Sequence, residues 1–232
     1  MSSSPDPHER HIISSWHTNA ESWSAAIQGG SIASRRLATD QAIVEAVART
    51  TPGRVLDIGC GEGWLARKLT QLGIAVVGVD AVPALVARAA SRGGGEFHVL
   101  DYASLANREF RCQPCDAAVC NFSLLGKDSV EAMLAALPWY LCSRGRLIVQ
   151  TLHPRAACGD APYEDGWRDG TWQGFSPDFK DPAPWYFRTL DSWLSMLRRC
   201  GFELLDLREP ALPGSSAPAS VLFTCEALEV AG

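Results

Sequence analysis

The chain of 232 residues predicts an α/β fold: a doubly wound, mostly parallel sheet with helices on both faces. Three observations predict it. Apolar runs of strand length alternate with stretches whose apolar residues recur every three or four positions. One such run, Val55-Leu56-Asp57-Ile58, ends in the alternating glycines Gly59, Gly61 and Gly63 and opens directly into a helical stripe. The last two runs are joined without a helix, which obliges that pair to lie antiparallel. Repeated strand–helix–strand units imply right-handed crossovers.

In chain order, residues 1–10 are polar and read as a tail without the apolar core of a secretory signal. Ile12–Ile27 carries Trp16, Ala20, Trp23 and Ile27 on one helical face, and Gly29-Gly30 breaks it. Residues 1–35 therefore form a tail and covering helix, ahead of a main domain at 36–232. A second helix over Thr39–Val47 leads through Thr50-Thr51-Pro52-Gly53 to the first strand. Trp64–Leu69 is helical, and Ala75–Val79 is the second strand. The helix Pro83–Ala90 has its proline in the first turn, where the missing N–H costs nothing. Phe97–Leu100 and Ala117–Cys120 are strands three and four. A helix over Ser129–Leu141 leads to strand five, Arg146–Thr151.

The alternation then stops. Pro154–Pro184 is rich in glycine, proline, aspartate and aromatics, and loops this long in a domain serve function or are disordered. Its tryptophans favour an ordered lid, inserted at about 153–189. The helix Leu190–Arg199, with Gly201 just past its end, resumes the fold. Phe202–Leu207 and Ser220–Thr224 are the final strands.

Composition removes several function classes. Lysine and arginine total 21 against 26 acids, a net charge of −5, with no basic run to favour nucleic acid. No apolar stretch approaches membrane-spanning length. Eight scattered cysteines suit a reduced, cytoplasmic protein. Cys112-Gln113-Pro114-Cys115 has no second pair at zinc spacing and precedes a strand, so it reads as two loop thiols; no metal is expected.

The glycine turn carries the chemistry. A strand, a glycine turn and a helix N-terminus converge unpaired N–H groups on a nucleotide. The spacing is G-x-G-x-G, and Trp64 stands where a dinucleotide fingerprint needs its third glycine, which argues against a nicotinamide cofactor. Asp57, two residues before the first glycine, would repel a pyrophosphate and favour a cationic ligand. This stretch, V-L-D-I-G-C-G-E-G, resembles motif I of the class I S-adenosylmethionine-dependent methyltransferases. With the strand order above, the resemblance covers about residues 36–226. It implies a Rossmann-like sheet of seven strands, parallel except for one.

The resemblance also implies roles at the strand ends. Asp57, Gly59, Cys60 and Gly61 surround the methionine moiety. Asp80 holds the ribose hydroxyls, with Ala81 and Val82 beside the adenine; the competing role for Asp80 is to cap the next helix. Asp101 and Tyr102 reach the adenine edge, and Asn121 and Phe122 open the motif beside the departing methyl group. Arg36, or Arg35 beside it, pairs with the methionine carboxylate. The segment after strand four has neither N-P-P-aromatic nor a Pro-Cys nucleophile, so amino-adenine and cytosine C5 methylation are not favoured.

His153 stands at the end of strand five, where a general base would meet the acceptor, or where a ring would anchor the lid. Trp23, Tyr163, Trp185 and Tyr186 are candidates for covering an apolar or aromatic acceptor. The expected activity is methyl transfer from S-adenosylmethionine, leaving S-adenosylhomocysteine, to an oxygen or nitrogen of a small molecule. The alternatives are an RNA- or protein-directed methyltransferase and a non-catalytic module that binds the cofactor.

Overall fold

The computed structural model describes residues 6–228; residues 1–5 of the expected tail and the last four residues lie outside the described residues. The sheet has seven strands: β1 (Arg54–Ile58), β2 (Ala75–Asp80), β3 (Glu96–Val99), β4 (Cys115–Asn121), β5 (Leu141–Leu152), β8 (Phe202–Arg208) and β9 (Ser220–Ala227). Their spatial order is β3-β2-β1-β4-β5-β9-β8. Only β9 runs against the others, inserted between β5 and β8. The strand order reverses between β1 and β4, and ligands of such sheets bind at that crevice beyond the carboxyl ends.

Alternation along each strand divides the sheet into two faces. Leu56, Ala118, Leu147 and Val149 face the helices α5 (Tyr102–Ala106), α6 (Asp128–Ala136) and α8 (Leu190–Arg199). Val55, Ala117, Val119 and Ile148 face α2 (Asp40–Arg49) and α3 (Trp64–Thr70). These side chains are all fully buried, each contributing about 1.5–3 kcal/mol where it is a valine or larger. The near-continuous apolar runs at the centre follow from burial on both faces.

Several element limits differ from the sequence reading. The first helix, α1 (Pro7–Gln28), begins five residues early because the Asp6 side chain accepts from His8 N and Pro7 fits the first turn. A π turn at Arg35–Thr39 precedes α2, with Asp40 N–H donating to Arg35 O. α5 was not expected; it is one short turn, capped by Asp101 accepting from Ser104 N, too brief to leave a periodic stripe. α6 stops at Ala136, and Pro138 shapes a 3-10 turn at Leu137–Tyr140, so no helix reaches Leu141. β5 starts at Leu141, through a register irregularity opposite Cys115 and Ala117. Cys115 is the buried first residue of β4 rather than a loop thiol.

The expected lid has its own structure. It holds α7 (Pro154–Cys158) and a two-stranded antiparallel sheet of β6 (Gly166–Arg168) and β7 (Trp185–Phe187). The remaining helix, α4 (Pro83–Arg92), lies beneath α1, where Ala20, Trp16 and Trp23 pack on Val82 and Leu85.

Candidate active site

The turn after β1 is fixed by its own backbone. Gly59 N and Cys60 N both donate to Val79 O, at 2.8 and 3.0 Å, tying the turn to β2. Gly59, Gly61 and Gly63 have φ of +73°, +56° and +82°, a region glycine alone enters freely. A Cβ on Gly59 would also overlap the Ser123 side chain, whose Oγ donates to Ile58 O. Sequence reasoning passed over Glu62. Its carboxylate is fully buried, receives both Nη2 bonds of Arg67, and also accepts from Arg92. That pairing staples the turn to α3 and α4.

Asp80 accepts from Gly61 N and Val82 N, both at 2.9 Å. It therefore rigidifies the turn and the start of α4 at once. Burial pushes its carboxyl up, and the two N–H bonds pull it back. Asp57 has no such relief. It is 2% exposed, its Oδ2 has no partner, and burial with the Asp80 charge pushes it up to about 7. Burial likewise raises the Cys60 thiol, which keeps it neutral and unreactive.

The two arginines expected as candidates for the methionine carboxylate are placed differently. Arg36 is exposed. Arg35 instead stacks over Trp64 at 4.4 Å and reaches Trp23 at 5.7 Å. Its Nε donates to Asp40 Oδ1 at 2.9 Å, and its Nη2 is buried without a partner. The π turn decides this, because it changes which residues face inward ahead of α2.

Trp23 is brought to the site: its Nε1 lies 3.6 Å from where a Cβ of Gly61 would be. Ala81 is half-buried beside buried Val82. Asp101 is exposed and caps α5 through Oδ1, while Tyr102 donates from its hydroxyl to Ser123 O. Phe122 N donates to Gln150 O, and Phe122 sits at φ +54°, a strained value for a side chain of its size. Asn121 presents a buried Oδ1 with no partner.

His153 is 3% exposed and one residue beyond β5. Its Nε2 is 2.8 Å from Glu209 Oε1, and its Nδ1 is buried and unpartnered. With Nε2–H donating to that carboxylate, the lone pair is on Nδ1, the tautomer a base needs. Glu209 was not foreseen, since 56 residues separate it from His153.

The aromatic candidates divide. Tyr186 N donates to Leu125 O at 2.7 Å, joining β7 to the loop after β4. Its ring lies edge-on to Trp167 and under Lys127 and Arg188. Tyr163 and Trp185 both meet Phe187 edge-on, and the Tyr163 hydroxyl accepts from Leu190 N, so they brace β7. The other lid aromatics turn to α1: Trp172 contacts Trp16, Phe175 and Phe179.

α1 and the lid are fastened together and to the loop after β4. Asn19 donates to Lys180 O at 2.7 Å and accepts from Lys180 N at 2.8 Å. Ser15 Oγ donates to Asp181 O, and His11 Nε2 pairs with Asp181 Oδ1. Glu9 accepts from Lys127 N and from Ser129 Oγ. Buried Arg188 donates to Gly126 O and Lys127 O.

Known proteins share this fold. A methyltransferase-domain family model matches residues 32–207. The ubiquinone biosynthesis O-methyltransferase of Xylella fastidiosa is 33% identical over 103 residues, 43% of this chain and 42% of that protein. The chain thus matches about two fifths of the length of that curated relative. The crystal structure of a Mesorhizobium loti S-adenosylmethionine-dependent methyltransferase has a TM-score of 0.59 at 21% identity, covering 79% of this chain and 95% of that one. That of the Burkholderia thailandensis 1,6-didemethyltoxoflavin-N1-methyltransferase has a TM-score of 0.62 at 16% identity, covering 99% and 93%. With its glycine turn, reversed strand order and matched residues 32–207, this chain belongs to the methyltransferase-domain family.

Proposed function

We propose that the protein transfers the methyl group of S-adenosylmethionine to an oxygen or nitrogen of a small apolar or aromatic molecule, leaving S-adenosylhomocysteine. One observation carries the choice of donor: Asp57 Oδ2 and Arg35 Nη2 are both buried and unpartnered at the glycine turn. A lone buried carboxylate oxygen and a lone guanidinium nitrogen complement the ammonium and carboxylate of a methionine moiety. On this reading Asp80, Ala81, Asp101 and Tyr102 extend that cradle towards ribose and adenine, Gly59, Cys60 and Gly61 line its middle, and Asn121 and Phe122 stand beside the departing methyl group. The bound sulfonium supplies an already activated methyl group. The protein's work is then orientation and exclusion of water.

His153, oriented by Glu209, is the group that receives the acceptor's proton at Nδ1. Trp23 and Tyr186, with Tyr163 and Trp185 behind β7, supply the apolar cover. Among the relatives one is an O- and one an N-methyltransferase, so both acceptor atoms stand at this level. We take residues 1–35 as a tail and covering helix and 36–232 as the catalytic domain, with the lid at about 153–189. No described helix is long and apolar enough to cross a membrane, and the eight cysteines are free, which supports a reduced, cytoplasmic setting. A net charge of −5 supports small molecules rather than nucleic acid as partners.

Calorimetry with S-adenosylmethionine, followed by methyl-labelled donor in metabolite extract, tests this reading. Binding of the donor and label in a small-molecule fraction are expected. His153→Asn should keep donor affinity and lower labelling on the order of a hundredfold. Binding of NADH in place of the donor would overturn the assignment.

A further inference from the structure

Among the described residues six buried side-chain atoms lack partners, and three of them, on Asp57, Asn121 and Gln150, belong to neighbouring strands near one edge of the sheet. Asp57, Asn121 and Gln150 share the sheet face of Val119 and Ile148, by the alternation of β1, β4 and β5. Asn121 and Gln150 are directly paired in register, two residues nearer the carboxyl edge than the level of Asp57. Thr39 stands one turn before Ile43, whose side chain packs on that same face, and Arg35 lies one turn earlier still. Among the described residues the sixth atom, His153 Nδ1, lies at the same edge just beyond β5.

The donor uses Arg35 and Asp57 on the reading above. Thr39 Oγ1, Asn121 Oδ1 and Gln150 Oε1 are not needed for the ammonium or carboxylate of the donor, and Thr39 and Gln150 are each only 1% exposed. Gln150 Nε2 donates to Ser220 Oγ at 3.1 Å, while its amide oxygen has no partner. A buried polar group left bare is destabilising, because it has given up water without gaining a partner. The two unpartnered amide oxygens belong to register-paired residues, two positions beyond Asp57, and together they offer acceptors to the N–H or O–H groups of a ligand. A phenol offers one O–H; an amine offers two N–H groups and still has a lone pair.

We propose that Asn121, Gln150 and Thr39 form the acceptor subsite, and that it selects a neutral amine nitrogen as the atom methylated. This rests on the methyl-transfer reading and narrows its acceptor. Held by both N–H groups, the nitrogen has its lone pair free to point at the methyl carbon. The N–C bond forms with that lone pair, and the C–S bond breaks with its pair left on sulfur. The surplus proton of the methylated nitrogen passes to His153 Nδ1. A hydrophobic pocket rejects an analogue weakly, whereas a hydrogen-bonding site rejects one that leaves its groups bare strongly.

The test is ligand-observed NMR on the full chain saturated with S-adenosylhomocysteine, titrated with aniline and with phenol as matched probes. Aniline should bind at least about fivefold more tightly than phenol, about 1 kcal/mol. Gln150→Leu should abolish that preference, and Gln150→Glu, which keeps both volume and acceptors, should retain it, with affinity for S-adenosylhomocysteine unchanged in both. Equal or tighter binding of phenol overturns the proposal, as does a preference that survives in Gln150→Leu or no binding of aniline at millimolar concentration. If Gln150→Leu does not fold, loss of the preference in Gln150→Glu overturns it. Failure of S-adenosylhomocysteine itself to bind is a different outcome, which removes the donor reading and this inference with it.

Discussion

On the β1–β2 side of the carboxyl edge, the chain is held by its near neighbours. Gly61 N–H meets Asp80 19 residues on, and Glu62 meets Arg67 after five and Arg92 after thirty. On the β4–β5 side the partners come from far along the chain. Glu9 meets Ser129 across 120 residues, Asn19 meets Lys180 across 161, and Arg188 meets Gly126 across 62. The side proposed to hold the donor is thus a preformed cradle of backbone and buried charge. The other side is covered by a cap of α1 and lid, fastened by hydrogen bonds between distant segments. The first kind of structure cannot open without unfolding; the second can open alone, as local unfolding units do.

The sharpest way to break this contrast is in the cradle. Gly59→Ala puts a Cβ into Ser123 and forces a left-handed φ on alanine, and should cost at least about 3 kcal/mol and abolish donor binding. Urea unfolding and calorimetry would read both effects. Stability near wild type with intact binding would show that the turn is not rigid.

Asp57 gives the next largest effect, as a dependence on pH. Its folded pKa of about 7 lies above the ordinary 3.8, so between those values the folded protein holds a proton the unfolded chain has lost. Stability from this group is therefore full below about pH 4, falls as pH rises to about 7, and is level beyond. Wild type should lose about 3 kcal/mol relative to Asp57→Asn between pH 5 and pH 8. Parallel curves for the two proteins would mean the carboxylate is not desolvated.

The smallest global effect is expected in the cap. Asn19→Ala removes both Lys180 bonds and should loosen the cap by about 2 kcal/mol while the sheet's unfolding midpoint hardly moves. Protease cleavage within residues 171–181 should then quicken by tenfold or more. Unchanged cleavage, or collapse of the whole domain, would make α1 and the lid part of the core instead.

The same contrast explains what could be read in advance. The glycine turn, the alternating elements and the acids at the ends of β1 and β2 were legible, because backbone requirements and strand alternation act over a few residues. The short α5, the β6–β7 sheet and the end of α6 at Ala136 were not, since each is settled by capping or pairing rather than by periodicity. Gln150 left one signal, a polar residue directly after the apolar run Leu147-Ile148-Val149 of β5. Glu62 lay inside the motif itself, unremarked, because only burial beside Arg67 and Arg92 shows its role.

By itself, then, the sequence determined the doubly wound sheet and the glycine turn after β1, through glycines that must take positive φ and apolar runs that must be buried. The tertiary structure decided which arginine turns inward, that Glu209 pairs with His153, and that Asn121, Gln150 and Thr39 each keep a buried oxygen without a partner. These depend on a π turn, on strand register and on segments distant in the chain. Such contacts depend on how whole elements pack, and no short stretch of residues encodes them.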